Sequence, residues 1–410
     1  AKALSLYYDK FEIPKGAELY IYSEDKKHVI GGFTSKNNSE TGHYATQLVK
    51  GDVSVIEYYE PASQKGKSKI SISHIGHAYR MVPEYIDRSG ERADPCEVDV
   101  NCSPEGDDWQ DEKKGVVRVA TASGGLCSGS LVNNTAYDCK PYVLYALHCS
   151  QNATASDFDQ HVFYFNFEKP GCGSGSGSLS ESVTGADLVS KGDASDFILV
   201  ELENKVPQSY DPYFNGWDAV NDPSQSGVSI HEKKISTYTS DLQTTNLGSG
   251  PTHWLVDWVS TPNGHGVTEG GSSGSPIFNS DGQIVGTLTG GQSFCSDVPD
   301  PDEDWYGKVS FHWTSNGSTP SEQLEPWLDP NGTGKKKLEG TYYPCEPPTE
   351  DDAALASINV PRSEVCDTTF SPEVTIENIG KNTLEKVKVN YQIDGGTLHT
   401  YNWTGYLSRG

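Results

Sequence analysis

Nowhere in this chain does an apolar residue recur every three or four positions for long enough to build a helix of many turns. Short runs rich in Val, Ile, Tyr, Thr and Phe alternate instead with turn residues, which confines the fold to the mostly β class. At 410 residues the chain exceeds one ordinary domain, and two or three are expected. A formal net charge of −26 favours solubility and speaks against nucleic-acid or anionic-membrane partners, while drawing in cationic substrates at low salt. No apolar stretch reaches the ~18 residues that span a bilayer, and no signal peptide opens the chain, so a processed form, secreted or at the cell surface, is expected. Nine cysteines without the CxxC spacing of a zinc ribbon point to disulfides in an oxidising compartment and to no resident metal or cofactor.

Three units follow from composition. Residues 1–90 carry period-two runs at 3–8, 17–22, 28–30 and 53–59, separated by turns such as Pro14-Lys15-Gly16, and read as a small β-sandwich. His74 and His77 could be metal ligands, but histidines on a strand surface are the commoner case. The polar, glycine-containing segment 86–94 is a linker and a candidate cleavage site that offers arginines and no lysine. After the acidic, proline-rich linker 346–352, strands at 356–360, 373–378, 387–393 and 399–403, with a hairpin turn at 394–396, form a third unit over 353–410.

The chemistry lies in the middle unit. In 266–278 a serine sits among glycines and serines ahead of Pro276 and an apolar run, 284–288. Such glycines let the backbone turn sharply and aim N–H groups at a carbonyl, so Ser273 is the candidate nucleophile and the Gly271 and Ser273 N–H groups the candidate oxyanion hole. A flexible turn between two strands is the plain alternative. Ser272 and Ser275 flank the candidate nucleophile. Upstream, His148 ends the run 141–147 and Asp196 opens the strand-like run 197–202, with Asp193 as a weaker rival. A histidine, aspartate, serine order is that of chymotrypsin-like proteases; subtilisins and α/β-hydrolases use other orders.

These residues, with 127–135, 147–149, Gly290-Gly291, 304–309 and 327–330, resemble the bacterial lysyl endopeptidases of the chymotrypsin-like superfamily over roughly 93–345. The resemblance implies an all-β chymotrypsin-like double β-barrel flanked by two small β-sandwich domains. Residues 1–90 would stand as a prosegment-like unit, making the chain a zymogen or leaving that segment as a permanent domain. Residues 353–410 resemble an immunoglobulin-like module, and about 60 residues is short for a sandwich, which suggests truncation at Gly410. By resemblance Cys96 pairs with Cys295, Cys102 with Cys172 and Cys127 with Cys149, the last pinning the strand that ends at His148. Cys139, Cys345 and Cys366 remain, expected as one pair and one free thiol in an order left open.

The family's pocket-base carboxylate corresponds to Asp304, implying cleavage after lysine, with Gly290-Gly291-Gln292 as the pocket wall. Thr289 stands where the family carries histidine and is expected to hydrogen-bond Asp196; the family's tryptophan near the active site maps to Trp258, whose plain alternative is a core aromatic. The implied protein is a monomeric serine endopeptidase acting on proteins or peptides. Its rivals are the same mechanism with arginine or acidic preference, and a catalytically silent protease-like scaffold that only binds.

Overall fold

The computed structural model describes residues 3–78, 96–173, 177–231, 234–245, 247, 250–298, 303–346, 351–360, 371–378, 380, 382–392 and 396–408. The linker at 86–94 and Cys366 lie outside them, as do parts of the tract 171–177, the acidic stretch 297–304, the linker 346–352 and the turn 394–396. The chain divides into two compact units, Ala1–Cys345 and Glu346–Gly410.

Two large antiparallel sheets make the centre of the first unit, with the topology of a chymotrypsin-like double barrel. One runs Ser182–Thr184, Val162–Tyr164, Val116–Ala120, Leu126–Val132, Tyr142–Ala146, Phe197–Leu202, Ala186–Gly192. The other places Asp304–Lys308 between His253–Val256 and Gln283–Gly291, then continues through Pro276–Asn279, Gly227–His231 and Lys234–Tyr238 to Val98–Asp99.

Strands here are apolar on both faces because each face meets a different core. Val143, Tyr145, Ile198 and Val200 fill the interior of the first barrel. Their alternates Tyr142, Leu144, Phe197 and Leu199 point the other way, into a seam shared with Ile230, Phe278 and Ile284 of the second sheet. At ~25 cal/mol per Å² of apolar area, burial on both faces is what holds the two sheets together. Any residue at the end of a seam strand is therefore carried to the junction between the barrels.

The N-terminal residues form two smaller sheets. Ala3–Glu12 pairs with Tyr44–Ala45, Val49–Lys50 and Lys69–Ala78, and Glu18–Ser23 lies between Val29–Phe33 and Ser54–Tyr59. His74 sits exposed on a strand, its ring stacked 4.3 Å from that of Tyr7, and His77 is exposed too. Tyr7 and Ala45 share an apolar cluster with Val162, Tyr164, Phe167 and Leu179 of the first barrel. Gln160 Nε2 donates to the carbonyls of Tyr8 at 2.9 Å and Tyr44 at 3.4 Å, and the Leu48 N–H donates to the Tyr164 hydroxyl at 3.3 Å. The second unit holds two antiparallel ladders, Ala353–Val360 with Glu373–Asn378 and Leu384–Tyr391 with His399–Leu407.

Four disulfides join Cys96 to Cys295, Cys102 to Cys172, Cys127 to Cys149 and Cys139 to Cys345. The fourth resolves an open pairing, and Cys366 lies outside the described residues.

One feature of the N-terminal seam titrates. Glu40, Asp159, Asp187 and Glu203 influence one another there, and the Thr41 hydroxyl bonds Asp159. The Glu203 stem is exposed, but its carboxyl lies over Gly185, where an added Cβ would come within 2.6 Å. Loss of water at that carboxyl, then the neighbouring acids, push it up to about 8. A carboxyl raised on folding holds a proton the unfolded chain has lost, so its stabilising effect disappears as pH rises from the ordinary carboxyl range through about 8. Glu203→Gln should therefore raise Tm at pH 9 and leave it nearly unchanged at pH 5. Thermal melts at the two pH values check this, and an equal shift at both would refute it.

Candidate active site

His148 and Asp196 sit at the matched ends of two paired strands. Tyr142–Ala146 and Phe197–Leu202 are antiparallel with Ala146 opposite Phe197, so the residue leaving one strand meets the residue entering the other. The chain turns after Ala146 into the short 3₁₀ segment Leu147–Cys149, which presents His148 outward. Asp196 uses both oxygens on that histidine: Oδ1 accepts its backbone N–H at 2.8 Å and Oδ2 pairs with ring Nδ1 at 2.7 Å. This double grip fixes the ring's orientation and leaves Nε2 free of Asp196. The Asp196 bond outweighs partial burial and holds the His148 titration above its ordinary value. Asp193, the rival, is exposed and is one of the residues lining a crevice of about 340 Å³ beside His148.

Asp196 takes a left-handed backbone with φ of 58°. A non-glycine residue in that region costs of order 1–3 kcal/mol, so its surroundings must hold it there. They do so through Ser195, whose hydroxyl lies 2.7 Å from His312 Nδ1 and accepts from Asn316 Nδ2 at 2.6 Å. His312 Nε2 is in turn 3.1 Å from the Thr287 hydroxyl on the second sheet. Complete burial keeps the His312 titration far below its ordinary value, so this link is neutral. None of Ser195, His312 and Asn316 stood out in the sequence, because each contact joins residues more than 20 positions apart and no local motif marks them.

The serine comes from the other sheet. Ser272 and Ser275 are wholly buried, whereas Ser273 is partly exposed. Ser272 is a prop: its hydroxyl accepts the Glu269 N–H at 3.1 Å and lies 2.8 Å from His231 Nδ1. His231, pushed down to about 3 by burial first and Lys234 second, is a neutral support. The turn is tied to the first barrel by Ser128, whose N–H donates to the Ser273 carbonyl at 2.8 Å and whose hydroxyl donates to the Gly271 carbonyl at 3.0 Å.

Ser128 follows Cys127, which is bridged to Cys149, the neighbour of His148. The Cys149 sulfur stands 4.0 Å from His148 Nε2 and 3.9 Å from the Ser273 carbonyl oxygen, so one disulfide lies between His148 and the Ser273 turn. Among the described residues no hydrogen bond joins the Ser273 hydroxyl to His148; such bonds often tighten only when substrate is bound. Gly271 and Gly274 have φ of 108° and 83°, and a Cβ on Gly274 would come within 2.5 Å of the Ser128 carbonyl. The N–H groups of Gly271 and Ser273 make no intramolecular hydrogen bond among the described residues, which leaves both as donors.

Asp304 lies across from Gly291 on the paired strands Gln283–Gly291 and Asp304–Lys308. It has no solvent exposure, and its carboxylate accepts from Trp258 Nε1 at 2.7 Å, the Ser293 hydroxyl at 2.7 Å and the Ser293 N–H at 3.3 Å. Burial raises its titration above the ordinary carboxylate range in spite of these donors. A Cβ at Gly291 would fall 1.6 Å from Oδ1, so only glycine fits there; nothing lies within 4 Å of a Cβ at Gly290.

Two positions differ from expectation. Trp258 takes the plain alternative, a buried aromatic in the second barrel's core with its indole on Asp304, and it is Leu247, His253 and Thr289 that line the crevice beside His148. The Thr289 hydroxyl is engaged by His253 Nε2 at 3.0 Å rather than by Asp196. His253 also lines the crevice; burial pushes it down to about 4, while Asp196 favours its charged form.

Among the described residues no cluster of three metal-ligating side chains occurs, and no helix is long and apolar enough to cross a membrane. The family model for the C-terminal domain of lysyl endopeptidase matches residues 90–307. A lysyl endopeptidase of Pseudomonas aeruginosa PAO1 is 26% identical over 300 residues, which cover 68% of this chain and 63% of that protein. Among solved structures, the active form of the Rv3671c protease from M. tuberculosis aligns at 13% identity and a TM-score of 0.31, covering 51% of this chain and 83% of that one. An inactive form of Rv3671c aligns at the same identity and score, over 50% and 89%. With a family model spanning more than half its length, the chain belongs to the lysyl endopeptidase family.

Proposed function

We propose that the protein is a secreted serine endopeptidase that cleaves after lysine through Ser273, His148 and Asp196. The observation that carries this reading is the two-point hold of Asp196 on His148, with the Ser273 turn tied in next to it through Cys127–Cys149 and Ser128. Ser273 attacks the scissile carbonyl as His148 Nε2 takes its proton, and the oxyanion meets the Gly271 and Ser273 N–H groups. His148 then returns the proton to the leaving amine, and water releases the acyl group by the reverse route. Asp196 stays ionised throughout and holds the tautomer.

Lysine preference is supported by Asp304, a buried carboxylate whose donors are all neutral. A substrate ammonium turns it into a paired charge, while an apolar side chain leaves it unpaired, a difference of ~2–5 kcal/mol. The four disulfides favour an extracellular setting. The N-terminal sheets read as a prosegment-like domain seated on the outer side of the first barrel. No described residue of that segment lines the crevice at His148, which favours a docked domain over a plug.

Digestion of a denatured protein followed by mapping of the new termini tests the specificity. Lysine at nearly every cleavage site is expected; termini scattered over uncharged residues would overturn the pocket assignment. The mechanism is tested by pH. His148 must be neutral to act as base, so kcat/KM should rise with pH through a midpoint above the ordinary histidine value. Asp196→Asn should lower that midpoint and cut kcat by about 10⁴. A variant with an unmoved profile and near-normal rate would remove Asp196 from the mechanism.

A further inference from the structure

The following rests on the assignment of Asp304 as the base of the substrate pocket. Its two carboxylate oxygens are unequal. Oδ2 accepts the Trp258 indole N–H at 2.7 Å and the Ser293 hydroxyl at 2.7 Å, which takes up both of its in-plane lone pairs. Oδ1 accepts the Ser293 backbone N–H at 3.3 Å, well beyond the usual ~2.9 Å for such a bond, and the Thr268 hydroxyl acts on the carboxylate as a further, weaker donor. Oδ1 is also the oxygen set against Gly291, the exposed glycine of the proposed pocket wall, while Trp258 covers the other side from within the barrel core. Tyr306 rests against the same indole at 6.1 Å between ring centroids, and Tyr238 at 6.5 Å, so the ring is braced on both flanks.

We propose that Trp258, seconded by Ser293, is the residue that makes this pocket take lysine and refuse arginine, by occupying Oδ2 and leaving Oδ1 as the single acceptor. A lysine ammonium is a compact charge with three rotatable donors, and one oxygen suffices to pair it. A guanidinium is a rigid planar fork that pairs best with both oxygens of a carboxylate at once. Against a half-occupied carboxylate it can bond only end-on, and it loses the second oxygen that its paired N–H groups would otherwise meet. Apolar packing alone would not separate two long cationic side chains; the inequality of the two oxygens does.

The test uses two peptides that differ only in lysine or arginine at the cleaved position, with kcat/KM measured for the wild type, Trp258→Phe and Ser293→Ala. The phenyl ring keeps most of the indole's packing and removes its N–H. The wild type should favour lysine at least a hundredfold. Trp258→Phe should lower the lysine-to-arginine ratio at least tenfold through a gain on arginine, and Ser293→Ala should lower it at least threefold. If Trp258→Phe gives no cooperative thermal melt, Ser293→Ala decides alone, because it removes one donor to the same oxygen without a large change of volume. Ratios within twofold of wild type, or a fall caused only by loss on lysine, would overturn the inference. A wild type that cleaves equally after both residues would overturn it too while leaving Asp304 in the pocket. Cleavage after neither would instead remove the assignment of Asp304 on which it rests.

Discussion

The proposed site depends on one carboxylate held in an unfavourable backbone conformation. Asp196 has a positive φ, and its two oxygens take the backbone and the ring of His148 together. Nothing local keeps it there. Ser195 behind it is gripped by His312 and Asn316, and His312 reaches Thr287 on the second sheet. A Cβ at Gly307 would meet the Ser195 carbonyl at 2.0 Å, so the second sheet comes directly against this turn. The strain is carried by the seam between the barrels, which is also where the apolar faces of both sheets are buried. The proposed base, orienter and nucleophile are thus positioned by the same packing that joins the halves.

Buried neutral histidines recur as fasteners around this seam. His312 backs the aspartate, His231 backs the nucleophile turn through Ser272, and His253 holds Thr289. Burial keeps all three from charging, so each acts as a fixed hydrogen-bonding strut. His148 differs because it is partly exposed and faces an anion, and its titration moves the other way. One residue type serves as strut or as proposed base according to its access to water and its partner.

Much of this was legible in the chain. Period-two runs gave away the strands, because side-chain alternation is local. The glycine-serine turn and the order of His148, Asp196 and Ser273 stood out because catalysis by a nucleophilic serine requires those residue types in an exposed turn. The supports were not legible. Ser128 meets the Ser273 turn across 143 positions at Gly271, and Asn316 meets Ser195 across 121, and sequence spacing carries no sign of either. The same holds for the Cys139–Cys345 bridge, 206 positions apart, and for Trp258, whose indole ends on Asp304. Nothing in the sequence marks Glu203, whose carboxyl meets Asp159, Asp187 and Glu40 only once the chain is folded.

The most direct test of the central claim is covalent labelling of the native protein with a fluorophosphonate, followed by mass-spectrometric location of the adduct. An assembled nucleophile, base and oxyanion pocket should place one adduct per chain, on Ser273, and His148→Ala should abolish it. Absence of labelling in the wild type, or an adduct on another serine, would contradict the account.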